Sequence, residues 1–146
     1  MSELKELGGR LLVIFDGYCG LCNRSVRWFL RRDRRDRMRF VASGSPLVAD
    51  LLARNEMGAD TFGPSTIVVV RGADSPGERV LVRSDAVVAM LRELAGAWPV
   101  SGRVLGWIPR RVRDFGYGLI AQYRYRIFGR LESCPIPTAE ERARFL

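Results

Sequence analysis

Two cysteines separated by two residues, Cys19 and Cys22, are the side chains of this sequence best suited to chemistry. They stand in Asp16-Gly17-Tyr18-Cys19-Gly20-Leu21-Cys22, where an apolar run gives way to a helical pattern. This spacing lets two sulfurs close an intramolecular disulfide across one helical turn and exchange it with an external one. The attacking species must be a thiolate. A sulfur just ahead of a helix meets unpaired backbone N–H groups and the positive end of the helix dipole, which lower its pKa from about 8.5. Cys19 has that position and is the expected nucleophile. Cys22 lies one turn in, on an apolar arc with Val26 and Phe29, where desolvation raises a thiol's pKa and the sulfur can resolve a mixed disulfide from within. Gly17 and Gly20 let the backbone turn tightly and let a substrate chain approach.

Two other readings of the pair stand beside this one. Both sulfurs could be small buried apolar groups, or they could hold zinc. A closed zinc site would have to recruit Cys134 and a carboxylate, because the chain has no histidine. Cys134, beside Pro135 and Pro137, reads as structural and outside the exchange cycle. Asp16 has two readings: a carboxylate that takes the resolving thiol's proton, or an N-cap for the helix. Tyr18 either shields the disulfide and contacts a substrate chain or fills surface. The expected chemistry needs no cofactor and no metal, since the cysteine pair carries the electrons.

The absence of histidine also removes Ser-His and Cys-His nucleophiles and imidazole acid–base catalysis. At 146 residues, 47% hydrophobic and 27% charged, the chain is sized for one globular domain that folds without a disulfide scaffold. No apolar run approaches the roughly 20 residues of a membrane span. The opening MSELKELGGR lacks a secretory pattern, and three cysteines are too few for a secreted framework. The expected location is cytoplasmic.

The net charge of +8 is uneven. Eight arginines against Asp33 and Asp36 lie between Arg24 and Arg39, and seven against Asp114 between Ser101 and Arg130. A solvated basic face or attraction to an anionic partner would both produce this pattern.

The elements that must position the pair follow from periodicity. Leu11 to Phe15 is a continuous apolar run, the mark of a strand buried on both faces. Gly20 to Arg32 has a helical period, with Leu21, Cys22, Val26, Phe29 and Leu30 on one arc and Arg24, Arg27 and Arg31 opposite. Met38 to Ala42 predicts a strand, Pro46 to Asn55 a helix, and Thr66 to Val70 a strand that forms a hairpin with Val80 to Val82. Ser84 or Asp85 is the expected cap of a helix over Ala86 to Ala95 that ends at Gly96. From Trp98 the chain is helical and basic, broken at Pro109. There Val112, Phe115, Leu119, Tyr123 and Ile127 recur at helical spacing and read as a core-facing stripe.

The order β-α-β-α-β-β-α is that of an α/β, thioredoxin-like, three-layer α/β/α fold with a mixed central sheet and a C-terminal helical extension. One domain over 1–146 is expected, with its core at about 10–96 and the extension at about 97–146 packed on it. In such folds a cis-proline faces the C-x-x-C and presents backbone to an extended substrate. Pro64, in Phe62-Gly63-Pro64-Ser65-Thr66, has that sequence position, although the usual form is hydrophobic-Pro-Thr; an ordinary trans turn is the alternative.

The segment Phe15 to Cys22 resembles the D-x-x-C-x-x-C signature of the DCC family of thiol-disulfide oxidoreductases. Arg124-Tyr125, Phe128-Gly129, Cys134-Pro135 and Arg144-Phe145-Leu146 resemble that family's ending. The resemblance implies a thioredoxin-like fold and dithiol–disulfide exchange with a protein or small-molecule disulfide, renewed by a cellular dithiol donor. Two competing functions remain: a nucleic-acid-binding module using the arginines, and a peripheral membrane protein using Trp107, Ile108 and the basic helix. Against the former, Phe115 and Tyr123 are expected in the core and not stacked on bases.

Overall fold

The strand predicted over Leu11 to Phe15 (β1) lies at the centre of a four-stranded sheet, and all five of its residues are buried. A computed structural model describes residues 7, 9–15, 20–42, 45–55, 67–73, 76–128 and 144–145. Among them are β2 (Met38–Ala42), β3 (Ile67–Arg71) and β4 (Arg79–Val82). The helices are α1 (Gly20–Arg32), α2 (Pro46–Arg54), α3 (Arg83–Glu93), α4 (Trp98–Trp107) and α5 (Arg110–Phe128). The strand order is β2-β1-β3-β4: β1 runs parallel to β2 and antiparallel to β3, and β3 pairs antiparallel with β4.

The pleat of β1 divides the core in two. Leu11, Val13 and Phe15 face one cluster with Val26 and Phe29 of α1 and Ala86, Ala89 and Met90 of α3. Leu12 and Ile14 face the other, with Val48, Leu51 and Leu52 of α2. Helices therefore cover both faces of a mixed sheet, which is the thioredoxin-like α/β/α arrangement. A run without polar alternation is what a strand buried on both faces requires.

The helix expected over Ala86 to Ala95 begins earlier and ends sooner, spanning Arg83–Glu93 with Val82 as its N-cap. Ser84 and Asp85 do not cap it, because α5 engages both. The Ser84 hydroxyl donates to Asp114 Oδ1, and Asp85 pairs with Arg110 (2.6 Å) and Arg113 (3.2 Å). The expected stop at Gly96 is the turn into α4, where Gly96 takes a positive φ of 75°. Pro109 separates α4 from α5 as the sequence indicates.

Helix α4 packs closely on α3 at Gly102, which is buried. A Cβ there would lie 2.9 Å from Arg92 Cγ and 3.2 Å from both Arg92 N and Leu91 Cβ. Arg92 Cγ can move aside, but the backbone nitrogen cannot. Gly102→Ala gains about 1 kcal/mol of helix propensity and loses a similar amount to crowding, so it is expected to be near neutral. Gly102→Val is expected to lower stability by ~1–3 kcal/mol, read as a reduced urea midpoint at unchanged slope.

Candidate active site

The pair sits where β1 hands the chain to α1. Phe15 ends β1 and Gly20 begins α1. Asp16, Tyr18 and Cys19 fall between them, outside the described residues. Cys22 is the third residue of α1 and is 1% exposed, packed in the cluster that holds Phe15, Val26 and Phe29. Of the apolar arc read from the sequence, Cys22, Val26 and Phe29 are buried and Leu30 is partly buried, with Arg24 and Arg31 exposed on the other side, while the side chain of Leu21 lies outside the described ones. No acidic side chain occupies the first turn of α1.

Sheet register assembles the rest of this end. Phe15, the last residue of β1, pairs with Ile67, the first of β3. The chain leaving β1 toward the cysteines and the chain entering β3 from Pro64 therefore meet the sheet at adjacent strand ends. Pro64 and Thr66 themselves lie outside the described residues, as does Cys134. Val82, the last residue of β4, pairs with Val68, so α3 begins beside the same end. Helix α5 reaches it too: Ile67 N–H donates to Tyr117 Oη at 3.1 Å. Tyr117 was not singled out from the sequence. Its only signal there is its place between Asp114 and Ala121, on the helix face opposite the apolar stripe.

The chain's last residues brace the same strands. Phe145 bridges to Phe40 in parallel, and its ring meets Phe15 edge-on at 6.0 Å. Phe40 N–H donates to the Arg144 carbonyl at 2.8 Å, covering part of the exposed edge of β2. Arg144 Nη1 lies 3.1 Å from Asp33 Oδ2, and the Asp33 side chain is wholly buried. Asp33 Oδ1 accepts from Arg37 N–H at 2.9 Å, and its Oδ2 from Met38 N–H at 3.1 Å. A hydrogen bond from Arg39, helped by Arg144 and Arg10, holds the neighbouring Asp36 carboxyl below the usual carboxylate range, against the upward push of partial burial. In the sequence these two aspartates read only as minor charges in an arginine run.

An open cavity lined by Arg31, Arg32, Arg34 and Trp98 lies at the other end of α1. At the helical rise it is ~14 Å along the axis from Cys22, too far to serve the sulfurs. Arg32 stacks over Trp28 at 4.1 Å there, near the negative helix terminus, which gives this arginine a structural role.

Residues 13–130 match the DCC1-like thiol-disulfide oxidoreductase family. The chain belongs to that family. The match runs from within β1 to just past α5 and includes the C-x-x-C segment, so the resemblance drawn from Asp16, Cys19 and Cys22 identified the right family. A curated relative, the uncharacterized protein YuxK of Bacillus subtilis (strain 168), is 30% identical over 142 residues, 97% of each chain. Another, the DCC family protein At1g52590, chloroplastic, of Arabidopsis thaliana, is 33% identical over 135 residues, 92% of this chain and 74% of that protein. No solved structure matches the chain. The plant relative's chloroplast assignment means that location varies within the family. Among the described residues, no helix is long and apolar enough to cross a membrane.

Proposed function

We propose that this family member is a dithiol–disulfide oxidoreductase in which Cys19 attacks and Cys22 resolves. The observation that carries the reading is the burial of Cys22 in the first turn of α1, against the strand whose end precedes the signature. A sulfur so placed is out of reach of a bulky external disulfide but within one helical turn of its neighbour in the motif.

The reaction balances without a cofactor. The Cys19 thiolate attacks one sulfur of a substrate disulfide, forming a mixed disulfide and releasing the other substrate sulfur as a thiolate. The Cys22 thiol, once deprotonated, attacks Cys19 Sγ, closing the Cys19–Cys22 disulfide and freeing the second substrate sulfur. The substrate gains two electrons and two protons, which a cellular dithiol then returns to the pair. Asp16 is the carboxylate nearest in sequence to accept the proton of Cys22, with helix capping as its alternative role. Tyr18, Gly20 and the backbone at Pro64 are the proposed substrate contacts, a placement supported by the Phe15–Ile67 pairing. The contacts of α4 and α5 with α3, and of α5 with α1, support reading 1–146 as one unit. A reducing compartment such as the cytoplasm suits this cycle.

Thiol counting tests the reading. Mild oxidation of the Cys134→Ala protein is expected to remove both remaining thiols without forming a dimer, and a dithiol reductant to restore them. If both stay alkylatable after oxidation, or the purified protein holds one zinc per chain, the redox reading fails.

A further inference from the structure

Four of the five residues in the apolar stripe of α5 are not in the core, and the side chain of the fifth, Ile127, lies outside the described ones. Val112 is 59% exposed, Phe115 71%, Leu119 44% and Tyr123 40%. The opposite face makes the contacts, through Asp114 to Ser84, Arg113 to Asp85 and Tyr117 to Ile67. Helix α4 repeats the arrangement. Gly102 is buried against α3, while Val100, Val104 and Trp107 project on the other side, Trp107 at 82% exposure. Two successive amphipathic helices thus use a small or polar face for docking and leave the large apolar face in water. Isolated exposed hydrophobics are ordinary, but two helical stripes of them are not.

Arginines accompany both stripes. Arg103 lies between Val100 and Val104 in sequence, and Arg111 and Arg126 flank the stripe of α5; all three are exposed, and none forms an ion pair among the described residues. Self-association would bring this positive surface against its own copy, in a chain of net charge +8. A polyanion such as nucleic acid would engage the arginines but give Val112, Leu119 and Ile120 nothing to bury against. A lipid surface with anionic headgroups meets both needs: aliphatic and aromatic side chains enter the acyl boundary while guanidinium groups stay among the phosphates. We propose that the outer faces of α4 and α5 dock this protein on an anionic membrane surface. The inference does not depend on the redox reading, although Tyr117 ties the same helix to the sheet end where the cysteine segment emerges.

Sedimentation of the full-length protein with vesicles decides it. Binding to an equal mixture of phosphatidylcholine and phosphatidylglycerol is expected to be at least about tenfold tighter than to phosphatidylcholine alone, and to weaken with salt. Arg111→Gln and Arg126→Gln should each weaken it roughly fivefold. Phe115→Gln with Leu119→Gln should weaken it by on the order of tenfold or more while circular dichroism stays native. Tryptophan emission should shift to the blue on binding, and Trp107→Phe should remove most of that shift. Four results overturn the proposal: no vesicle binding; equal binding by the Phe115/Leu119 variant, which leaves a plain polyanion patch; a lipid-free dimer that the same substitutions dissociate; or unfolding of that variant, which would make the stripe core.

Discussion

Serine at Cys22 is expected to stop turnover and leave the protein covalently joined to its substrate through Cys19. In the proposed cycle the resolving step draws on two sulfurs one helical turn apart, and well-oriented intramolecular reactions have effective molarities of about 10^5 M or more. Millimolar external thiol cannot replace that, so the loss should be on the order of a thousandfold or greater. Cys19→Ser should be equally inactive but should trap nothing, because Cys22 at 1% exposure offers no sulfur to an external disulfide. Partner capture on the two variants, read by non-reducing electrophoresis, separates the roles. A hydroxyl among Val26, Phe29 and Phe15 costs stability by ~1–3 kcal/mol, so Cys22→Ala should accompany it as a variant without a buried polar group. Iodoacetamide labelling against pH should show Cys19 titrating below an ordinary thiol, as expected of a sulfur just ahead of a helix N-terminus. If Cys19→Ser is the variant that traps substrate, the roles are reversed.

The part of the fold that carries this chemistry was legible because its signals are local. The bounds of β1, α1 and β2 agree residue for residue with the periodicity, since an apolar run and a helical arc are both set by neighbouring residues. The start of α3 departs from the sequence expectation for a tertiary reason. Ser84 and Asp85 have the chemistry of caps, but Asp114, Arg110 and Arg113 of α5 claim them from a distance in sequence of some 25 to 30 residues. The stripe of α5 shows a deeper limit. Periodicity finds an apolar face without saying which way it points, and here three polar side chains on the other face decided the orientation. That finding also removes the reason drawn from Phe115 and Tyr123 against nucleic-acid binding, and leaves the apolar demand of the stripe as the argument.

For the candidate site, residue spacing singles out the cysteines, but what surrounds them depends on register. Nothing in the sequence pairs Phe15 with Ile67, and without that pairing Pro64 is only a proline before a strand. Asp33 was the hardest residue to find. In Arg31-Arg32-Asp33-Arg34-Arg35-Asp36-Arg37 its charge looks like dilution of a basic run, whereas its partners are two backbone amides and an arginine 111 residues away.

Asp33→Ala should therefore be among the most destabilising substitutions in the chain. Both carboxylate oxygens are buried, and removing them leaves the N–H groups of Arg37 and Met38 without acceptors at the entrance to β2. Breaking one side of a buried ion pair costs about 3–5 kcal/mol, a large share of the 5–15 kcal/mol that holds a typical domain. At ~3 °C per kcal/mol for a chain of this size, the melting temperature should fall by roughly 10 °C or more. Arg144→Ala should cost less, on the order of 1–3 kcal/mol, since Asp33 keeps its backbone donors and loses only the bonds from Arg144 to its carboxylate and its carbonyl. Acid should weaken the same cluster through Asp36. Its carboxyl is held below the ordinary value, so its contribution is present above about pH 3.9 and is lost as pH falls through the lower folded value. Solvent screening keeps that share small, because the Asp36 side chain is 40% exposed. Urea unfolding of the two variants at neutral pH gives the comparison directly. An Asp33→Ala cost below that of Arg144→Ala would mean that the aspartate serves the ion pair alone, and that the amides of Arg37 and Met38 find other acceptors without it.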